Sequence, residues 1–162
     1  MAYNLDVNYE NSFAYSINIS DNFNNLTDYL LYKSDKVYGK ICIVSDSKVA
    51  KLYMNEVSDI LKKAGIQVYI FIFPTGEASK NLDTCEKLYE ELIKSHFDRY
   101  DLLIALGGGV VGDLTGFCAA TYLRGIDFIQ VPTSLLSFAD SSIGGKTGVD
   151  FKAFKNMVGA FY

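Results

Sequence analysis

Asp101-Leu-Leu-Ile-Ala-Leu-Gly-Gly-Gly-Val-Val-Gly-Asp113 decides the fold of this 162-residue chain. Its apolar run, Leu102 to Leu106, is too short for a helix and suits a parallel strand buried on both faces. Gly107 to Gly109 then open a helix that runs to about Leu123. Free backbone N–H groups at such a terminus favour a phosphate, and the missing Cβ atoms let a pyrophosphate come close. The helix dipole adds to that attraction. Gly107, Gly109 and Gly112 satisfy G-x-G-x-x-G, but the next strand ends at Val131-Pro132 without the acidic residue of the ordinary dinucleotide fingerprint. A tight strand-to-helix turn with no ligand is the other reading of the same residues.

Outward from this stretch, strand and helix patterns alternate. Phe13–Ile19 reads as an early strand, and Phe23–Tyr32 as a short helix with Leu26, Leu30 and Leu31 inward. Lys40–Ser45 is a buried strand. A helix follows with Ser47 at its N-cap, a stripe of Val49, Leu52, Tyr53, Val57, Ile60, Leu61 and Ala64, and Gly65 at its end. Ile66–Phe73 is a strand stopped by Pro74, Leu82 to about Ser95 a helix, and Ile126–Val131 a strand closed by Pro132. Alternation at this spacing predicts an α/β fold, a Rossmann-like parallel sheet with helices on both faces.

Composition bounds the function. At 49% hydrophobic and 21% charged, the chain is not disordered. A net charge of −4 and the lack of a basic stripe argue against nucleic acid and anionic membranes as partners. The 23 tyrosines and phenylalanines therefore read as core, not as a stacking platform. Cys42, Cys85 and Cys118, odd in number and set in apolar runs, read as core residues of a reducing compartment. His96 is the single histidine, so metal-ligand spacing is missing and no metal residue is expected in this chain. Neither a secretory signal nor an apolar run of spanning length stands out, and the expected location is cytoplasmic. Ten of the 13 glycines fall in residues 103–162, where the backbone must turn tightly or approach something closely.

In open parallel sheets, ligands sit beyond the carboxyl ends of the strands. Five polar segments fall there: 45–47, 74–80, 107–113, 132–134 and 140–147. Asp46 is placed to receive ribose hydroxyls, or caps a helix with Ser47. Glu77 and Lys80 lie in a Pro/Gly loop that covers a cofactor or is simply solvated. Asp140-Ser141-Ser142 accepts ligand hydroxyls or caps a turn. Ile143-Gly-Gly-Lys146-Thr147 fails as a Walker loop because Asp140 stands where the first glycine is required. Lys146 is then a ligand-binding cation or an ordinary exposed lysine. Arg124 closes a helix, where the dipole alone favours it. Lys155-Asn156 sits in an amphipathic stretch with Met157 and Phe161 apolar. His96, at a helix end, reads as surface.

Taken together, Gly107–Asp113, Leu123–Gly125, Pro132–Thr147 and Lys155–Tyr162 resemble the N-terminal, NAD-binding half of the 3-dehydroquinate synthase family. The resemblance runs over nearly the whole chain. It implies a phosphorus–oxygen lyase of the shikimate pathway, converting 3-deoxy-D-arabino-heptulosonate 7-phosphate to 3-dehydroquinate and phosphate. It further implies NAD and a divalent metal, zinc or cobalt, as cofactors, and a homodimer. Residue by residue, it places Asp46 at the adenosine ribose, and Thr75, Gly76, Glu77, Ala78, Ser79 and Lys80 in the nucleotide-contacting loop. Gly109, Val110, Val111, Gly112 and Asp113 match the pyrophosphate turn, and Thr133 and Ser134 the next nucleotide contact. Asp140, Lys146 and Asn156 match residues that hold the substrate near the nicotinamide, with Lys146 and Lys155 also counted among the cofactor contacts. Arg124 matches an arginine that reaches the substrate phosphate of a neighbouring subunit.

Three departures from the family pattern, Ser134, Phe138 and Gly148, remove no functional group. The resemblance places the metal ligands and much of the substrate pocket in a helical C-terminal domain, and residues 1–162 are read as the N-terminal domain alone, inactive by itself. A related sugar-phosphate cyclase and a non-catalytic nucleotide-sensing module are the competing readings. The first is separated by product identity, the second by nucleotide binding without turnover.

Overall fold

The computed structural model describes residues 3–33 and 36–162, and the chain falls into two compact units, Met1–Val37 and Tyr38–Tyr162. In the first, strands β1 (Tyr3–Tyr9) and β2 (Ser12–Ile19) form an antiparallel hairpin. The two-residue connection Glu10-Asn11 has φ of 46° and 67°, the left-handed pair that a tight hairpin turn requires. β2 matches the expected early strand, whereas β1 carried no recognised signal. A short helix, α1 (Asn24–Asp28), passes into a wider π-helical turn, Tyr29–Lys33. That change of pitch separates two leucines expected on one face: Leu30 is buried, while Leu31 is 46% exposed.

The second unit is built on a four-stranded parallel sheet in the order β4-β3-β5-β6. Its strands are β3 (Lys40–Asp46), β4 (Gln67–Phe73), β5 (Leu102–Gly107) and β6 (Asp127–Pro132). The connecting helices are α2 (Val49–Lys63), α3 (Leu82–Lys94) and α4 (Gly109–Thr121). β5 is buried along its whole length, as its unbroken apolar run predicts. Alternate residues serve opposite faces. Cys42, Val44, Leu103 and Ala105 pack with α3 and α4 around Leu88, Leu92, Leu114 and Cys118. Ile41, Ile43, Leu102 and Ile104 are fully buried on the other face, which α2 covers with Val57 and Leu61. The Rossmann-like reading holds.

Local details differ from expectation. Leu52 of the expected α2 stripe is 64% exposed, and Met54 is buried instead. Ser47 does not cap α2: Asp46 Oδ1 accepts from the amides of Lys48 (2.8 Å) and Val49 (3.0 Å). The Ser47 hydroxyl accepts from Thr75 N at 3.1 Å, tying β3 to the loop after β4. Asp46 wins the cap because an ionised carboxylate is the stronger acceptor for free helix amides. Beyond β6, strands β7 (Lys146–Phe151) and β8 (Phe154–Phe161) form an antiparallel hairpin, so Lys155-Asn156 lies on a strand. The hairpin packs on α4 at Gly116, where a Cβ would stand 2.4 Å from Thr147 Cγ2. No helix among the described residues is long and apolar enough to cross a membrane.

Candidate functional site

β3 and β5 are neighbours, yet the chain leaves β3 for α2 on one face and β5 for α4 on the other. Their carboxyl ends therefore open a crevice where the winding reverses, the place where open α/β sheets bind ligands. Asp46 ends one strand and Gly107 the other, and Ser45 Oγ donates to Leu106 O at 2.7 Å across the pair. Asp46 caps through Oδ1, which leaves Oδ2 outside the capping bonds.

On the α4 side, Gly112 N donates to Gly108 O at 3.0 Å, so the amides of Gly109, Val110 and Val111 precede the first bond of the helix. The three glycines of the turn are tightly surrounded. A Cβ at Gly107 would meet Val111 Cγ2 at 2.4 Å, one at Gly108 would meet Ser134 Oγ at 3.3 Å, and one at Gly109 would meet Ser141 Oγ at 2.9 Å. Ser141 Oγ is buried without a hydrogen-bond partner. Thr133 N donates to Gly107 O at 2.9 Å, which carries Thr133 and Ser134 up to the same turn. A glycine cradle with three spare amides and an orphaned hydroxyl suits a phosphate-bearing ligand.

A second constellation lies at the first turns of α4. Lys80, 4% exposed, donates from its ammonium to Asn156 Oδ1 at 2.7 Å and to Asp113 Oδ2 at 3.3 Å. Glu77 Oε1 stands 3.4 Å from the same nitrogen and Asp150 Oδ1 3.9 Å. Lys155 Nζ pairs with Glu77 Oε1 at 3.3 Å. The loop is built to deliver Lys80 inward. Gly76 takes φ of 116°, Ser79 Oγ donates to Pro74 O at 2.6 Å, and Ala78 O accepts from Asn81, whose Oδ1 caps α3 at Thr84 N. The solvated reading of Lys80 is therefore overturned: a buried ammonium is tolerated because several carboxylates surround it. Burial raises the Asp113 carboxyl above its ordinary range, and the neighbouring Lys80 charge opposes that shift.

Glu77, Lys80, Asp113, Lys155 and Asn156, singled out separately in the sequence, thus meet in one network. Other candidates stand apart from it. Lys146 is exposed at the start of β7, Asp140 is exposed in the π-helical turn Ser137–Ser141, and Arg124 follows α4 at the end away from the glycine cradle. Asp150 was missed. Its only local signal is an acid two residues before the Lys152-Ala153 turn, which has no meaning until the hairpin folds. Among the described residues no three His, Cys, Asp or Glu side chains are grouped to hold a metal, and His96 lies exposed after α3.

The profile described as 3-dehydroquinate synthase N-terminal matches residues 70–162. The 3-dehydroquinate synthase of Acetivibrio thermocellus is 46% identical over 158 residues, covering 98% of this chain and 43% of that protein. A solved structure of 2-deoxy-scyllo-inosose synthase complexed with carbaglucose-6-phosphate, NAD+ and Co2+ superposes with a TM-score of 0.81 at 28% identity, over 91% of this chain and 41% of the other. The 2-epi-5-epi-valiolone synthase of Streptomyces hygroscopicus subsp. jinggangensis 5008, with NAD+ and Zn2+ bound, gives 0.72 at 28% identity, over 77% and 35%. The chain spans between 34% and 43% of the length of the first curated relatives it matches. Because the profile runs from β4 through the cradle, the Lys80 network and the closing hairpin, more than half of the sequence, the chain belongs to the 3-dehydroquinate synthase family.

Proposed function

We propose that residues 1–162 form the NAD-binding part of a 3-dehydroquinate synthase, a lyase that releases phosphate from 3-deoxy-D-arabino-heptulosonate 7-phosphate. The observation that carries this reading is the glycine cradle at the reversal point of the sheet, three spare amides beside the buried, unpartnered Ser141 hydroxyl. When bound, NAD supplies reversible hydride abstraction, which side chains cannot perform. This chain's residues bind and orient it. The amides of Gly109, Val110 and Val111 bond the pyrophosphate, and Ser134 and Thr133 flank it. Asp46 Oδ2 accepts from the adenosine ribose hydroxyls. The loop Thr75–Lys80 and Lys155 would contact the nucleotide, and Gly112 and Asp113 would complete the cradle.

Lys146, Asp140 and Asn156 hold the substrate. The exposed Lys146 ammonium neutralises its anionic groups, and Asp140 and Asn156 take hydroxyls. Arg124 serves the substrate phosphate of a second subunit in a homodimer. Among the described residues no three His, Cys, Asp or Glu side chains are grouped to hold a metal, and the zinc or cobalt of the whole enzyme would be held by residues outside this sequence. The chain alone therefore binds nucleotide without turning over. A related sugar-phosphate cyclase is the second reading, favoured by the superposition on such enzymes, and the product of the whole protein separates the two.

Calorimetric titration of NAD into the purified chain tests the reading. Saturable binding is expected, weakened about tenfold or more by Asp113→Ala and less by Lys146→Ala, whose side chain faces the substrate. A chain folded by circular dichroism that takes up no NAD at millimolar concentration would remove the claim that this sequence builds its own cofactor site.

A further inference from the structure

Asp150 has no role in the reading above, yet the network converges on it. Its backbone N donates to Lys80 O at 2.8 Å, and it bridges to Asn81. Its side chain, 17% exposed, has Oδ1 at 3.9 Å from Lys80 Nζ. The same Oδ1 accepts from Asn156 N at 2.8 Å. Register explains why this carboxylate is needed. In the β7–β8 hairpin Val149 faces Val158 and Phe151 faces Phe154, so Asp150 alone lies opposite residues 155–157. Those residues form a bulge, with Asn156 held at φ of 55°. A bulge re-aims side chains, and asparagine is among the few non-glycine residues that accept the left-handed conformation this one uses. Here the bulge brings Asn156 Oδ1 to the Lys80 ammonium and Lys155 to Glu77.

We infer that Asp150 is a positioning residue: its carboxylate holds the bulge at 155–157, and so sets where Asn156, Lys155 and the Lys80 ammonium stand beside the cofactor. The inference rests on the NAD-binding reading. The short bond to Asn156 N, not the long approach to Lys80, is the operative contact. Asp150→Asn keeps an acceptor oxygen in that place and removes the charge, whereas Asp150→Ala removes both.

The experiment is an NAD titration of the chain and its Asp150→Ala, Asp150→Asn, Asn156→Ala and Asp150→Ala/Asn156→Ala variants, each checked for thermal unfolding. Asp150→Ala is expected to weaken NAD at least about tenfold, the loss of one hydrogen bond to a charged group, and Asp150→Asn less than about threefold. The double variant is expected to lose clearly less than the two single losses combined, because Asp150 acts in large part through Asn156. A folded Asp150→Ala that binds NAD like the parent, or effects that simply add, would overturn the inference. If Asp150→Ala does not fold, Asp150→Asn decides: binding as weak as that of Asn156→Ala overturns it.

A parent chain that binds no NAD removes first the claim that this sequence builds its own cofactor site. The Asn156 backbone amide proton resonance then judges Asp150. Displacement in Asp150→Ala with restoration in Asp150→Asn retains the positioning role, and an unmoved resonance in both removes it.

Discussion

At the scale of single residues, the decisive feature is one ammonium among three carboxylates. Lys80 stands within 4 Å of Glu77, Asp113 and Asp150, and its own side chain is buried. Asp113 records the balance of burial and charge, because burial raises its carboxyl from 3.8 more strongly than Lys80 lowers it. The folded chain therefore binds more protons than the unfolded chain from about pH 4 up to the raised value. Across that window the Asp113 contribution to stability falls as pH rises, and above it the loss is complete and constant. Asp113→Asn does not titrate, so its stability relative to the parent should climb from about pH 4 and level off once the pH passes the raised value, as read by urea unfolding at a series of pH values. A parent that instead gains on the variant as pH rises would show that Lys80 outweighs burial.

At the scale of elements, α4 is the piece that both builds the cradle and supports the hairpin. Its glycines weaken it as an isolated helix, by about 1 kcal/mol each relative to alanine. Packing explains Gly116. A Cβ there would lie 2.4 Å from Thr147 Cγ2 and 3.0 Å from the Phe128 ring. Thr147 cannot turn away freely, since its hydroxyl donates to Ala160 O at 2.9 Å. Gly116→Ala gains the propensity term but overpacks a β-branched neighbour, at about 1–3 kcal/mol or more when the hairpin must move. A net destabilisation of about 1 kcal/mol is expected from the urea midpoint, together with weaker NAD binding through displacement of β7. An unchanged or higher midpoint would mean that the hairpin slides on α4 without resistance.

At the scale of the whole molecule, the three thiols report on the integrity of the core. Cys42, Cys85 and Cys118 are free and buried, and burial pushes the Cys42 thiol up to about 12 and Cys118 well above its ordinary value. Thiolate is the reactive form, so native protein should resist an aromatic disulfide reagent at neutral pH and expose three thiols on addition of urea. Rapid reaction of any one in the native state would show that the sheet opens locally around it.

The division between sequence and tertiary structure follows the range of the forces involved. Apolar runs and helical stripes are local, so β3 to β6, α2 to α4 and the crevice at Asp46 and Gly107 were legible from periodicity, glycine and proline. Hairpins were less so. β1 does alternate, with Tyr3, Leu5, Val7 and Tyr9 against Asn4, Asp6 and Asn8, and that signal was overlooked, while β7 (Lys146–Phe151) opens on glycine-rich sequence and the largely exposed β8 carries no clean period of two. Which acceptor caps α2, whether Lys80 is solvated or enclosed, and what Asp150 is for depend on atoms brought together from loop, helix and hairpin. Residues 80, 113, 150 and 156 share no sequence pattern, and the strength of their pairing depends on the dielectric that only the folded core provides. By itself the sequence determined the sheet, its carboxyl-end crevice and the glycine cradle. The tertiary structure alone decided which charges are buried together, because desolvation is a property of the packed molecule.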